Sequence, residues 1–173
     1  MRVVPRTIYR FSELSEKAKD RAKQEYAAIG GYHWSDDAMK SIKSLAEHFG
    51  GKLKDYNIDW FDTMPSDAKF VMPDMDKDEI AENLKVLGEF DPATGKGHGD
   101  CKLTGACHDE DAIDGFRIAF RGGESDLTRL MNAAFKSWLK AGQSECEAQY
   151  ENDTFSEMSD ANDYEYDVNG ELV

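Results

Sequence analysis

Residues 124–150 read ESDLTRLMNAAFKSWLKAGQSECEAQY, and this run sets the architecture expected of the whole chain. Its apolar residues recur every three or four positions, which predicts one long helix with a wide apolar face. Gly142 is expected to kink or weaken the middle of that helix, at a cost of about 1 kcal/mol. The apolar face consists of Leu127, Leu130, Met131, Ala134, Phe135, Trp138 and Leu139, and Cys146 and Tyr150 continue its period.

The same period predicts shorter helices on both sides of this run. In the first of them Leu14, Ala18, Ala22 and Tyr26 form a narrow apolar stripe, and Ser12 or Ser15 is expected to cap its N-terminus. Asp109 is the expected N-cap of another helix. Thr154 and Glu157 fit a capping box, in which each side chain satisfies a free amide of the first turn. The predicted helices span residues 16–28, 35–49, 76–87, 109–120 and 155–161.

Strand signals are fewer and shorter. Alternating apolar residues predict strands at Leu53–Phe61, with Tyr56, Ile58 and Trp60 on a buried face, and at Ala68–Met72. A further short strand is expected within residues 3–11. Tyr164, Tyr166 and Val168 alternate up to Asn169-Gly170, a dipeptide typical of a tight hairpin turn.

These elements predict an α+β fold, a helix-dominated single domain over residues 1–173 with a small antiparallel sheet. Its 173 residues are enough for a substantial core, and 40% of them are hydrophobic. Residues 88–108 are expected to form an irregular loop, since glycines and Pro92 interrupt every period there.

Charge is distributed very unevenly along the chain. The formal net charge is -14, yet residues 1–54 carry eleven Lys or Arg against seven Asp or Glu. Residues 144–173, the acidic C-terminal region, hold ten carboxylates and no lysine or arginine. Apolar residues spaced through this region predict that it folds and displays its charges at set positions, whereas a purely acidic run stays disordered. Such a surface repels nucleic acid and attracts basic protein surfaces.

The expected partner is therefore a host or bacterial protein with a basic nucleic-acid-binding surface, rather than nucleic acid itself or a membrane. Carboxylates are expected to meet its lysines and arginines, while aromatic side chains supply the buried contacts that exposed ion pairs lack. The candidate partner-binding residues are Glu147, Tyr150, Glu151, Asp153, Phe155, Glu157, Asp160, Asp163, Tyr164, Glu165 and Asp167.

Two histidines and two cysteines form the strongest candidate metal site, His98, Cys101, Cys107 and His108. Their spacing is poor for zinc, because the ligands come from one short loop and two of them are adjacent. Packing of both cysteines as small apolar side chains is the favoured reading. Neither a nucleophile motif nor a phosphate-binding loop is present, so neither an enzyme nor a cofactor is expected.

The expected location is the cytoplasm of a bacterial cell. No apolar run reaches the roughly 18–20 residues that a membrane helix needs. The N-terminus lacks the pattern of a signal peptide. Three cysteines, an odd number, do not suit a secreted disulfide framework.

Three segments resemble a family of small acidic phage and prophage accessory proteins, some of which are labelled antitoxins. Residues 11–19, FSELSEKAK, match its pattern F-x-E-L-S-x-x-A-K, and residues 101–109, CKLTGACHD, match C-x-L-T-G-x-C-x-D. Residues 161–166, ANDYEY, followed by Asn169-Gly170, are similar to the terminus of these proteins. Glu171 departs from the pattern, which has a basic residue there. The resemblance implies an accessory product of a mobile element and transfers no catalytic residue.

The leading functional hypothesis is a phage-type acidic inhibitor, of the anti-CRISPR or antirestriction kind, that competes with nucleic acid for a basic surface on a host defence protein. The alternative is an antitoxin-like protein that neutralises a toxin by direct binding. A metal-dependent enzyme using the 98–111 loop is the third.

Overall fold

A computed structural model describes residues 7–28, 35–60, 64–87, 103 and 108–173, with the backbone alone at residues 28 and 35–37. The chain divides into two compact units. The terminal unit comprises Met1–His33 and Glu145–Val173, and the central unit comprises Trp34–Ser144. The regular elements are α1 (Glu16–Ala28), α2 (Ser35–His48), β1 (Lys52–Asn57), β2 (Asp67–Val71), α3 (Lys77–Val86), α4 (Asp109–Arg121), α5 (Leu127–Gln149) and α6 (Asn152–Ala161).

The core of the central unit is built from the apolar faces predicted for α2 and α5. Phe49, directly after α2, stacks on Phe116 of α4 with ring centroids 4.6 Å apart. Burial of each such side chain contributes about 1.5–3 kcal/mol. The fully buried large residues of this core are Ile42, Leu45, Phe49, Ile80, Phe116, Leu130, Met131 and Trp138.

Gly142 is a packing position in α5 rather than a break. The helix continues to Gln149, and the Gly142 backbone lies against the Trp60 ring, which a Cβ atom would overlap. Gln143 donates from its side-chain amide to the carbonyl oxygen of Asp59 at 3.0 Å. Trp60 also contacts Trp138, with ring centroids 5.1 Å apart. Gly142 is therefore required for a close approach of the helix backbone to the Trp60 ring.

β1 and β2 form a two-stranded antiparallel sheet in which Lys52 lies opposite Val71, with an irregularity between Leu53 and Asp55. β1 ends at Asn57, so the strand predicted to run to Phe61 is too long. Tyr56, predicted to be buried, is 44% exposed, and the Lys43 ammonium nitrogen lies 5.8 Å from the centroid of its ring.

In the terminal unit, α1 and α6 pack around an aromatic cluster. The predicted stripe of α1 is confirmed, since Leu14, Ala18 and Ala22 are buried and Tyr26 is partly buried. The Ser15 hydroxyl accepts from the Ala18 amide at 3.4 Å, as an N-cap does. The buried residues of this cluster are Phe11, Leu14, Ala18, Ala22, Phe155 and Tyr166.

A short hairpin ends the chain, as the Asn169-Gly170 dipeptide predicts. Tyr166 pairs with Leu172 on one side and with Tyr9 on the other, and Tyr9 and Tyr166 exchange two backbone hydrogen bonds of 2.9 and 3.0 Å. Gly170 has a φ of +86°, and its backbone lies against the Ala18 carbonyl oxygen, which a Cβ atom would overlap. Of the strand predicted within residues 3–11, only Tyr9 forms a bridge, and residues 3–6 lie outside the described part of the chain.

The caps predicted for α6 and α4 are wrong. The amide of Phe155 already donates to the carbonyl of Glu151 at 2.9 Å, so α6 begins at Asn152 and Thr154 lies inside its first turn rather than in a capping box. Asp109 is the first residue of α4 and not its N-cap, because His108 precedes it in the left-handed conformation, with a φ of 67°.

The fold is α+β, dominated by helices and with a small antiparallel sheet, as predicted. The expectation of a single domain over residues 1–173 stays a prediction.

Candidate functional site

The outer face of α6 carries a row of carboxylates, which we name the acidic stripe: Asp153, Glu157 and Asp160. All three are exposed. Their spacing of four and three residues places them on one face of the helix, over about 10 Å along its axis. The buried residues of α6, Phe155 and Ser159, lie on the opposite face. The helix is therefore amphipathic, with its charged face directed to solvent.

Contacts with the N-terminal segment, Met1–His33 of the terminal unit, hold α6 in place. The Phe155 ring lies 4.7 Å from that of Phe11 and 5.5 Å from that of Tyr26, centroid to centroid. The buried Ser159 hydroxyl and the Tyr166 hydroxyl share a hydrogen bond of 2.9 Å. A helix as short as α6 is marginal in isolation. Its order, and with it the spacing of the acidic stripe, therefore depends on this packing.

The other candidate carboxylates lie before and after α6. Glu147 and Glu151 are exposed ahead of it, and Asp163 is exposed just after it with a φ of 54°. Glu165 and Asp167 are half-buried in the hairpin. Asp167 Oδ1 accepts from the amides of Asn169 and Glu171 at 2.8 and 3.0 Å, so this carboxylate stabilises the turn.

The aromatic candidates form part of the core of the terminal unit. Phe155 is only 1% exposed, so it is not available to a partner, which corrects the expectation that it is an anchor. Tyr150 and Tyr164 are half-buried, with ring centroids 6.2 and 6.3 Å from Tyr26. Their place in the pattern of apolar residues predicted burial, but it did not predict that the protein's own α1 covers them.

Cations of the N-terminal segment also contact the acidic region. The guanidinium of Arg21 pairs with Glu171, and Arg10 Nη2 lies 3.7 Å from Asp163 Oδ1. Lys23 Nζ donates to Asn152 Oδ1 at 2.6 Å. These contacts were not predicted, although the distribution of charge along the sequence indicates them. Residues 1–33 contain seven Lys or Arg, and residues 145–173 contain none.

Burial shifts the pKa of several groups in this unit. Desolvation raises the pKa of Tyr26, Tyr150 and Tyr166 above the ordinary tyrosine value. Burial likewise raises the pKa of the Cys146 thiol to about 11, with Glu145 and Glu147 adding to the effect. That thiol is therefore mainly protonated at neutral pH, the form in which a cysteine is a poor nucleophile.

The candidate metal loop lies mostly outside the described residues, since His98, Cys101 and Cys107 fall there. His108 is described, and its Nδ1 lies 3.2 Å from Asp111 Oδ2. Within the described ranges, no group of three or more His, Cys, Asp or Glu side chains is arranged to hold a metal ion. In the same ranges, no helix has both the length and the apolar composition needed to cross a membrane.

Comparison of the chain with models of known protein families, with curated proteins and with solved structures found no match.

Proposed function

We propose that this protein is a phage-type acidic inhibitor, which acts in the bacterial cytoplasm by binding a basic surface of a host defence protein and competing there with nucleic acid. An anti-CRISPR or antirestriction factor is the concrete form. The observation that carries the proposal is the acidic stripe, whose three carboxylates are held on an ordered helix. None of them forms an ion pair within the described part of the chain.

Charge complementarity provides the mechanism. Lysines and arginines that normally contact phosphates meet carboxylates at set positions on α6, and nucleic acid is excluded from the same surface. Ordered carboxylates bind more effectively than disordered ones, because less conformational entropy is lost on binding. The resemblance of residues 11–19, 101–109 and 161–166 to phage and prophage accessory proteins also favours this class of function.

Capture of the partner tests the proposal. Tagged protein is incubated with bacterial lysate that contains nucleic-acid-targeting defence complexes, with and without nuclease treatment. We expect the wild type to retain a nucleic-acid-binding defence protein, and added nucleic acid to displace it. Retention of a toxin would support the antitoxin alternative instead, and retention of neither would contradict both.

A matched pair of variants tests the role of the acidic stripe. Asp153→Asn, Glu157→Gln and Asp160→Asn together remove three charges from α6 without changing its buried face. Asp74→Asn, Asp78→Asn and Glu110→Gln remove three exposed charges from the central unit. Each neutralised contact contributes about 0.2–1 kcal/mol, so we expect the stripe variant to bind the captured partner roughly threefold to a hundredfold more weakly, with a smaller salt dependence. Equal affinities for the two variants would remove the stripe from the mechanism.

A further inference from the structure

Opposite charges in the terminal unit come from opposite ends of the chain. Residues 145–173 contribute ten carboxylates and no cation, whereas residues 1–33 contribute seven cations and four carboxylates. The N-terminal segment thus presents to the acidic region the same chemistry that a basic partner would present. It provides cations beside carboxylates, and aromatic rings against Phe155 and Tyr166.

Two ion pairs flank the C-terminal hairpin. Arg21 pairs with Glu171 near its end, and their side chains are 54% and 43% exposed. Arg10 lies beside Asp163 at its start, and their side chains are 43% and 89% exposed. Ion pairs with this much solvent access are weak and exchange readily with competing cations.

Other contacts, not these two pairs, hold the hairpin on α1. The Leu172 amide donates to Glu25 Oε2 at 3.1 Å, and the Tyr9–Tyr166 backbone bridge joins the two ends of the chain. The close fit of Gly170 against Ala18 adds to them. Arg10 Nη1 is buried and has no hydrogen-bond partner among the described residues. Substitution of Arg10 therefore leaves no hydrogen-bond acceptor of Nη1 unsatisfied among these residues. Loss of both ion pairs is therefore compatible with an intact hairpin.

We infer that Arg10 and Arg21 form an autoinhibitory contact: they compete with a basic partner for Asp163 and Glu171, which weakens binding at these two carboxylates and favours binding at the acidic stripe. This inference rests on the proposed function. Its consequence is that the protein in its resting form binds basic surfaces more weakly than its carboxylates permit. A partner arginine that displaces Arg10 or Arg21 gains one further contact.

Binding of a synthetic oligoarginine peptide to the full chain tests this inference. Arg10→Gln with Arg21→Gln frees both carboxylates. The matched control, Lys69→Gln with Arg129→Gln, also breaks two exposed ion pairs, with Asp55 and Glu124 in the central unit, and changes the net charge equally. We expect the first variant to bind the peptide about three- to tenfold more tightly than the control and with a steeper salt dependence.

Each other outcome overturns the inference. Equal gains in both variants would mean that net charge alone sets the affinity. Unchanged affinity with unchanged amide exchange in residues 152–173 would mean that the two arginines mask nothing. Weaker binding with faster exchange there would make them structural groups. The proposed function is tested separately. It fails if the variant with the neutralised acidic stripe binds the peptide as tightly as the wild type does.

Discussion

Phe155 lies among Phe11, Tyr26 and Tyr150, with ring centroids 4.7, 5.5 and 6.0 Å away. Tilted and edge-on aromatic pairs at these separations add about 0.5–1.5 kcal/mol each to the burial of the rings. In a segment rich in carboxylates that repel one another, this contact offsets the repulsion and fixes α6. The side chain therefore acts on the site indirectly, from the face opposite the acidic stripe.

Phe155→Ala is expected to destabilise the terminal unit by about 3–5 kcal/mol, because it removes an aromatic ring from a packed core. Amide exchange resolved by segment should show faster exchange in α6 and α1. Glu157→Ala, on the exposed face of the same helix, is the control and should change stability by no more than about 0.5 kcal/mol. A loss below about 1 kcal/mol for Phe155→Ala would contradict the assigned packing.

At the scale of elements, the sequence predicts what depends on local repetition. The bounds of α1 and the start of α2 follow from regularly spaced apolar residues, and in α1 also from a serine cap, and these bounds are confirmed. The start of α6 could not be predicted, because a helix that begins at Asn152 and one that begins at Phe155 are both compatible with the local sequence. In the structure the Phe155 amide donates to the Glu151 carbonyl oxygen, so the helix begins at Asn152. What covers Phe155 could not be predicted either, because its neighbours Phe11 and Tyr26 lie at the far end of the chain.

The same limit applies to the candidate site. Glu157 and Asp160 fall between the apolar positions of the helix predicted over residues 155–161, so their exposure follows from the sequence. Asp153 lies before the predicted start of that helix, so its place on the same face as Glu157 and Asp160 did not follow. Pairing of Arg21 with Glu171 is a tertiary contact, and no periodicity encodes it. The basic character of the first third of the chain was visible, but its use inside the protein was not.

The C-terminal hairpin gives a prediction at this scale. Gly170 and Gly123 both have positive φ, +86° and +99°, but only Gly170 lies where a Cβ atom would meet the backbone of Ala18. Gly123→Ala should therefore lower the free energy of unfolding only by the strain of a side chain at positive φ, about 1–2 kcal/mol. Gly170→Ala should lower the free energy of unfolding by more, because its Cβ atom would also overlap the Ala18 backbone. It should also speed amide exchange of Tyr166 and Leu172. Equal losses in denaturant unfolding would mean that the hairpin does not rest on α1.

At the scale of the whole molecule, a net charge of -14 favours solubility and steers the protein towards basic partners, while self-repulsion opposes compaction. The two units share this charge equally, with -7 on each, but they distribute it differently. In the terminal unit ten of the fourteen carboxylates lie in one segment of the chain, residues 145–173. That segregation, rather than the total charge, is the reason we propose the terminal unit as the binding surface.

Stability should fall at alkaline pH. Burial raises the pKa of Tyr26, Tyr150 and Tyr166 in the folded protein, so the folded state favours their neutral form. This contribution is complete below about pH 10, the unfolded value, and is lost as the pH rises through the folded values. Thermal unfolding followed with tyrosinate absorbance should show a falling midpoint above about pH 10. Full ionisation of all tyrosines with no loss of stability would contradict their burial.

Everything proposed for the acidic stripe requires that α6 and the hairpin stay folded in solution against the N-terminal segment. Residue-resolved amide hydrogen exchange of the unbound protein tests this most directly. We expect slow exchange at the amides of residues 155–162, which donate to carbonyl oxygens of α6 or of Glu151 just before it, and at the amides of Tyr9 and Tyr166, which donate to each other's carbonyl oxygens. Exchange at the rate of an unstructured chain across residues 152–173 would contradict it.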